Sequence, residues 1–309
     1  YNNRLLTSIL TETACYGQVI LRLFMEETNV VHVNACEWLL KNQESFKPPI
    51  CNKIMFNGQL IVFFIKGPNT RNDFHIENGE EIFYMCKGEM NLKLVINDQF
   101  KDIIIKEGEI FILPPCTLHS PRRPENSLGF VIERKRDLIN EIDGLVYFDE
   151  PTTEIKHEVY MHIENFEHQL RDVANNSLKD LQSGNLSTYN PEQKDPPIKP
   201  QKHPHYMNPI SLQSIIQDNF TKLQTKGRYK LCPDNYQSKI EILTYGEFTC
   251  FNNEYDTLLW IYKGEASLNI KSETNVLKES DFFVIHPGIN AVLSVPQSHY
   301  ALKIYIIKQ

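Results

Sequence analysis

Two histidines and a choice of acids lie between Arg71 and Glu133. His75 is followed by Glu77, Glu80 and Glu81, and His119 stands beyond the turn Glu107-Gly108-Glu109 and the pair Pro114-Pro115. Two imidazoles and one carboxylate can hold a divalent metal and leave coordination positions open, the donor set of non-haem iron(II) oxygenases. Zinc accepts the same donors, so donor type alone does not choose the metal. Glu77, Glu80 and Glu81 compete for the carboxylate place. Arg123 follows His119 by four residues. A planar guanidinium there can clamp a carboxylate through two parallel hydrogen bonds. An acidic residue, Glu133, ends the stretch.

Such side chains need a rigid scaffold, and the surrounding residues describe one. Gln59–Ile65 is a short, nearly continuous apolar run, the pattern of a strand buried on both faces. Glu81–Cys86, the turn Lys87-Gly88, the alternating run Met90–Ile96, the turn Asn97-Asp98, Asp102–Lys106, Ile110–Leu113 and Leu128–Arg134 follow at regular spacing. Many short strands with turn chemistry between them predict a β-sandwich or barrel. Asn34 can cap a short helix through Trp38-Leu39-Leu40. Over residues 160–182 the period changes, and Ile163, Phe166, Leu170, Val173 and Leu181 fall near one helical face. Residues 183–209 hold six prolines and few apolar residues and read as a linker. Ser211 then caps a helix carrying Leu212, Ile215, Ile216 and Leu223.

From Lys239 the strand pattern returns as a repeat of the first. Leu258–Ile270, with its Lys263-Gly264 turn, matches Ile82–Leu94 with Lys87-Gly88, and Lys278–Ile285 matches Lys106–Leu113. An internal repeat of this length predicts two copies of one barrel. Aligned this way, Phe251 takes the place of His75, Thr257 that of Glu81 and Ala291 that of His119. The second copy keeps the strands and loses every candidate ligand, so the ligands read as chemistry laid on a scaffold.

The spacing His75-x-Glu77-x3-Glu81-x6-Gly88 resembles the first cupin motif, with Glu77 where many cupins carry a second histidine. Gly108-x5-Pro114-x-Cys116-x2-His119 resembles the second, with Cys116 in a usual glycine place and Arg123 where many cupins carry asparagine. Together with Gly67-Pro-Asn-Thr-Arg71, His119-Ser-Pro-Arg-Arg123 and Gly129-Phe-Val-Ile-Glu133-Arg134, the chain resembles the 3-hydroxyanthranilate 3,4-dioxygenase family in its animal, two-cupin form. The likeness is strongest over 34–150. It implies Fe(II) held by His75, Glu81 and His119. Arg71 would sit beside dioxygen, where a cation stabilises charge on reduced oxygen. Arg123 and Glu133 would hold the substrate, with Phe83, Pro121 and Asn52 in the pocket wall. The implied reaction opens the ring of 3-hydroxyanthranilate with O2 between carbons 3 and 4, giving 2-amino-3-carboxymuconate semialdehyde, the source of quinolinate and then NAD in the kynurenine pathway of tryptophan catabolism. Glu77, a rival for the carboxylate place, could instead orient an imidazole from behind.

The reading is therefore an all-β-dominated chain of two cupin (double-stranded β-helix, jelly-roll) barrels with a few linking helices. Residues 1–33 have no assigned role, 34–150 form the metal-binding catalytic cupin, 151–226 a helical and proline-rich linker, and 227–309 a second cupin without ligands. Alternatives are a cupin that binds metal without turnover, a cupin isomerase, or a dioxygenase with a different aromatic substrate. A net charge of −7 argues against nucleic acid or an anionic membrane as partner. No apolar run reaches the ~18 residues of a membrane span. Seven scattered cysteines without a Cys-x-x-Cys pair fit free thiols in a reducing, cytoplasmic compartment. The second copy can cover the surface a one-cupin dimer would use, so a monomer is expected. Arg134-Lys135-Arg136 reads as a solvated charge cluster, Arg122 as facing solvent, and histidines outside the pair His75/His119 as packing or surface.

Overall fold

A computed structural model of the chain describes residues 30–165, 168–186 and 196–308. By its internal contacts the chain divides into two compact units, one of Glu37–Glu241 with Tyr305–Gln309, the other of Ile242–Ile304 with the chain up to Cys36. The strands in chain order are β1 (Val30–Asn34), β2 (Asn52–Asn57), β3 (Leu60–Lys66), β4 (Phe74–Ile76), β5 (Glu81–Lys87), β6 (Glu89–Ile96), β7 (Gln99–Lys106), β8 (Glu109–Leu113), β9 (His119–Arg122), β10 (Leu128–Arg134), β11 (Asp143–Phe148), β12 (Ile155–Met161) and β13 (Ile210–Ser211). In the larger unit, one sheet runs β13-β8-β5-β10-β3-β2 and the other β12-β11-β4-β9-β6-β7. This is a two-sheet barrel, as the strand spacing and turns predict, of the cupin kind that the resemblance implies.

Alternation decides what each barrel strand gives to the interior. On β5 the inward row is Glu81, Phe83 and Met85. On β10 it is Glu133, Val131 and Gly129, paired one to one with those three. On β3 it is Ile61, Phe63 and Ile65, the next row over. The opposite faces of these strands are also covered: Phe64 packs on Phe130, Tyr84 on Phe130 and Trp38 on Phe64 at ring centroid distances of 5.2–5.7 Å. Burial on both faces explains why Leu60–Ile65 shows no polar alternation. The interior is thus apolar along most of its length, with Met90, Leu92, Leu94, Leu113 and Leu145 from neighbouring strands. Its polar side chains gather where β4, β5, β9 and β10 meet.

The predicted helices form with shifted bounds. Beyond Ala35–Lys41 (α1), the segment around 160–182 divides into the end of β12 and a helix Gln169–Ser183 (α2), in which Leu170 and Ala174 are buried. Phe166 lies outside the described residues. Ser211 caps Leu212–Asp218 (α3) by accepting a hydrogen bond from the Ser214 amide at 3.3 Å. Leu223 falls in a separate helix, Phe220–Lys226 (α4), after a break at Asn219. Among the described residues no helix is long and apolar enough to cross a membrane.

The second unit repeats the plan. After β14 (Arg228–Lys230) and β15 (Ser238–Leu243), which lie wholly and mostly in the larger unit, its strands are β16 (Gly246–Thr249), β17 (Thr257–Lys263), β18 (Glu265–Ile270), β19 (Glu273–Lys278), β20 (Asp281–Ile285), β21 (Ala291–Val295) and most of β22 (Tyr300–Ile306). One sheet runs β16-β21-β18-β19, and β1 pairs antiparallel with β20, Asn34 opposite Asp281. The likeness reaches single hydrogen bonds. Gly88 and Gly264 both turn in the left-handed region, at φ 70° and 83°. Their amides donate to Glu107 Oε2 at 2.9 Å and Glu279 Oε2 at 3.1 Å. The Lys106 amide donates to Glu109, and the Lys278 amide to Asp281.

Register corrects one detail of the repeat. Thr257 opens β17 as Glu81 opens β5, and Ala291 opens β21 as His119 opens β9. The residue facing Ala291 is Cys250, whose amide donates to the Ala291 carbonyl at 2.8 Å. It is Cys250, not Phe251, that stands in the place of His75. Alignment on the Lys-Gly turn misses this by one residue, and one residue on a strand exchanges the two faces. Phe251 is exposed, whereas Cys250 lies in a core with Leu243, Leu259, Leu268, Ala291 and Leu293.

Candidate metal centre

Three strands deliver three donors to one point. His75 on β4 lies directly opposite His119 on β9. Glu81 opens β5, and all three are buried. The imidazoles meet edge to face with centroids 5.2 Å apart. Glu81 Oε1 is 3.1 Å from His119 Nε2 and 3.9 Å from His75 Nδ1. One donor atom from each residue falls within 4.8 Å of the others.

The remaining ring nitrogens are occupied. His75 Nε2 is 2.8 Å from Asp143 Oδ2, and His119 Nδ1 is 3.0 Å from the Thr117 carbonyl. Both acceptors call for an N–H on those nitrogens, which leaves His75 Nδ1 and His119 Nε2 as lone pairs facing Glu81. Glu81 Oε1 has no hydrogen bond of normal geometry among the described residues, despite its nearness to His119. Ligands ~2.1 Å from a metal and at right angles lie ~3 Å apart. Three lone-pair donors converging at such distances, with none bonded to another, fit a cation between them. Burial pushes the Glu81 carboxyl up, but the nearness of His119, of His75 and of the Arg136 guanidinium holds it at about 2. Burial pushes His75 down. Burial also disfavours charged His119, yet Glu81 beside it raises its pKa.

The rival carboxylates go elsewhere. Glu80 turns away from the donors and accepts the amides of Gln237 at 2.9 Å and Ser238 at 2.7 Å. Glu77 accepts the Gly79 amide at 3.1 Å and lies 3.3 Å from Arg136 Nη2. It touches no imidazole nitrogen by any of these bonds; the carboxylate behind His75 is Asp143. Glu77, Glu81 and Glu133 do present oxygens within 4.8 Å of one another, with Arg136 between them as counter-charge.

Arg134 and Arg136 are therefore not a solvated cluster. Both are buried. Arg134 forms a two-pronged pair with Glu141, at 2.8 and 2.5 Å. Arg136 bonds Glu133 Oε1 at 2.5 Å and Asp143 Oδ2 at 2.9 Å. Their charges lie in a segment that reads as surface because it leaves β10 for a turn; the turn folds back over the polar end of the barrel. The sequence did carry a signal for Asp143. It heads the apolar run Gly144–Phe148 as Glu81 heads its own, and that strand pairs with β4, Leu145 opposite His75.

The other expected residues line the same interior. Arg123 is 3% exposed. Its Nη1 donates to Met85 Sδ at 3.2 Å, while Nε and Nη2 have no partner among the described residues. Burial pushes its pKa down to about 10. Gly129 gives it room, since a Cβ there would lie 2.9 Å from Nη1 and 2.5 Å from the Tyr84 carbonyl. Glu133 is fully buried, with Oε2 unpartnered among the described residues. Burial raises its pKa well above the usual carboxylate range, against the pull of Arg136. Arg71 is buried and paired with Asp73, Nε standing 3.1 Å from both oxygens. Phe83 stands between Glu81 and Met85 on the inward row, its ring 6.1 Å from that of His119. Asn52 is buried opposite Ile65 with Oδ1 unpartnered among the described residues, and Pro121 is buried on β9. Arg71 and Arg123 both reach the wall of a surface pocket of about 440 Å³. Arg122 sits at its rim, paired with Glu150. The second unit offers Cys250, Thr257 and Ala291 at the ligand places, and among the described residues it holds no comparable donor cluster.

Comparison with known proteins agrees with this geometry. A family model described as 3-hydroxyanthranilic acid dioxygenase matches residues 25–177. The 3-hydroxyanthranilate 3,4-dioxygenase of Xenopus tropicalis is 36% identical over 261 residues, covering 82% of this chain and 91% of that protein. The Homo sapiens protein of the same name is 32% identical, covering 86% and 93%. In fold, the chain is similar to a salicylate 1,2-dioxygenase from Pseudaminobacter salicylatoxidans, with a TM-score of 0.58 at 13% identity over 90% of this chain and 83% of that one. With likeness along nearly the whole of its curated relatives, this chain belongs to the 3-hydroxyanthranilic acid dioxygenase family.

Proposed function

We propose that this chain is a 3-hydroxyanthranilate 3,4-dioxygenase, opening the ring of 3-hydroxyanthranilate with O2 at an iron(II) ion held by His75, Glu81 and His119. The observation that carries the substrate is Arg123. A guanidinium buried with two idle donors is costly unless an anion joins it. Its Nη1 reaches Met85, which shares the inward row of β5 with Glu81 and Phe83. An aromatic acid that carries a carboxylate next to its metal-binding hydroxyl and amine offers a partner both to the triad and to Arg123.

Iron(II) bound by the triad supplies the redox chemistry between dioxygen and the aromatic ring. The chain supplies position and charge. Arg123 binds the substrate carboxylate through Nε and Nη2. Glu133 Oε2, unpartnered among the described residues and on the inward row, accepts a hydrogen from the substrate. Arg71, held by Asp73, stands for charge that develops on reduced oxygen. Phe83, Pro121 and Asn52 close the wall and exclude water. Asp143 and the Thr117 carbonyl keep each imidazole in the tautomer that leaves a lone pair for the metal.

We place the protein in the cytosol, where thiols such as Cys36 and Cys116 and ferrous iron persist. We also propose a monomer, which light scattering at micromolar concentration checks; a stable dimer there would sink this part. The function is tested by oxygen uptake of anaerobically Fe(II)-loaded protein given 3-hydroxyanthranilate, with product absorbance followed in parallel. Uptake matched to product is the expected result. Silence with iron demonstrably bound refutes the assignment and turns the search to other aminophenols and catechols.

A further inference from the structure

We propose that Arg136 is a positioning residue that fixes a metal ligand and a substrate-facing carboxylate as one rigid unit, with Asp143 as the link to His75. The inference rests on the reading of His75 as a ligand and Glu133 as facing the substrate.

The geometry is a fork with both prongs in the site. Arg136 Nη2 bonds Asp143 Oδ2 at 2.9 Å, with Nε at 3.2 and 3.3 Å from its two oxygens. The same Oδ2 holds His75 Nε2 at 2.8 Å. The other prong, Nη1, holds Glu133 Oε1 at 2.5 Å and so leaves Oε2 facing inward. Glu77 closes the ring at 3.3 Å from Nη2. Arg136, Asp143, His75, Glu133 and Glu77 are each less than a tenth exposed.

Charge explains why the residue must be arginine. Three carboxylates surround one guanidinium, and without it they would repel in a medium where water cannot screen them. A lysine ammonium supplies charge from one point and cannot hold Asp143 side-on while reaching Glu133. Asp143 would then be free to turn, and with it the imidazole. Carboxylates behind metal-bound histidines set ring orientation and donor strength, and their loss typically costs about 10- to 100-fold in metal affinity. Arg134, two residues earlier, provides the contrast. It is also buried and paired, but its partner Glu141 touches no candidate ligand through the bonds that hold the pair.

The test uses wild type, Arg136→Lys, Asp143→Asn and the control Arg134→Lys, stripped of metal and titrated with Co(II). Visible absorption reports affinity and coordination, and thermal melting without metal reports stability. Asp143→Asn and Arg136→Lys are expected to bind Co(II) ~10- to 100-fold more weakly, with a changed absorption envelope. Arg136→Lys should also raise KM in the iron-loaded enzyme as Glu133 loses its anchor. Arg134→Lys is expected to lower the melting temperature and leave Co(II) binding at the wild-type level. Wild-type Co(II) affinity in Arg136→Lys and Asp143→Asn overturns the proposal, even if both melt lower. So does an equal loss in Arg134→Lys, which would mean general loosening. If Arg136→Lys does not fold, Asp143→Asn decides alone, because the amide keeps the size and an acceptor oxygen. Cobalt binding needs no turnover, so failure of the dioxygenase reading, seen as no oxygen uptake by wild type, remains distinct from failure of this one.

Discussion

Replacing Arg123 by methionine should weaken substrate binding and stabilise the empty protein, two effects of opposite sign from one change. Arg123 is 3% exposed, and Nε and Nη2 lack partners among the described residues. Each buried donor left without a bond costs about 1–3 kcal/mol. Methionine keeps roughly the length of the side chain and meets Met85, which Arg123 already touches. The substitution should therefore add about 1–3 kcal/mol to the stability of the substrate-free barrel, if only one donor's cost is recovered. At ~2–4 °C per kcal/mol for a unit of this size, the melting temperature rises by several degrees. With substrate the sign reverses. Losing one side of a buried, hydrogen-bonded charge pair costs about 2–5 kcal/mol, or roughly 30- to 4,000-fold in KM. Differential scanning calorimetry of the metal-free protein and oxygen uptake against substrate concentration measure the two halves. A variant that melts lower than wild type and binds substrate unchanged would refute the reasoning, since Arg123 would then be a structural residue with its donors satisfied.

The triad and its neighbours give three more expectations. His119→Ala removes a donor that no nearby side chain replaces, so metal content by elemental analysis and oxygen uptake should fall together; a variant that kept both would remove His119 from the ligand set. Glu80→Ala should cost about 2–6 kcal/mol, because the buried amides of Gln237 and Ser238 each lose their acceptor. Its folded fraction should nevertheless bind metal as wild type does, and metal loss at unchanged stability would make Glu80 a ligand. Arg71→Lys keeps a counter-charge for Asp73 but loses the planar fork. It should lower kcat by about 10²-fold and shift KM for the aromatic substrate much less, as steady-state kinetics at varied oxygen would report; unchanged kcat would take Arg71 away from the reacting oxygen.

What the sequence made legible and what it hid divide along a physical line. His75, Glu81 and His119 were legible because their spacing to Gly88 and Gly108 resembles the two cupin motifs; residue type alone left Glu77 and Glu80 as rivals of Glu81. Arg123 was legible by its offset from His119. Asp143 was marked only by its place at the head of an apolar run, and Arg136 by nothing that sets it apart. They act across 68 residues of sequence and through a turn, and polar residues in turns ordinarily meet water. Three consecutive charged residues, Arg134 to Arg136, look alike in sequence, yet the chain buries two of them. Only pairing partners decide that, and those partners, Glu141 and Asp143, come from beyond the turn.

The two barrels together show what the polar interior is for. Both keep the left-handed glycine turn, the glutamate that accepts its amide, and the acid that ties down the next strand. These contacts serve the scaffold, and both copies retain them. At the ligand places the copies part: cysteine, threonine and alanine fill the second interior among leucines and isoleucines. A barrel of this kind therefore folds with an apolar centre and has no need of buried imidazoles, carboxylates or guanidinium. In the first copy, histidines, glutamates, Asp143, Arg136 and Arg123 replace that apolar filling, and each must be matched or left costly. Most are matched to one another. Glu77 Oε1, Glu81 Oε1, Glu133 Oε2 and two donors of Arg123 are not, among the described residues. Those unmatched atoms are a carboxylate oxygen in the triad, the oxygens of two carboxylates beside it, and a cation at Met85. Scaffold demands cannot account for them, because the second copy meets those demands without them; a cation and an anionic aromatic substrate would satisfy all of them at once.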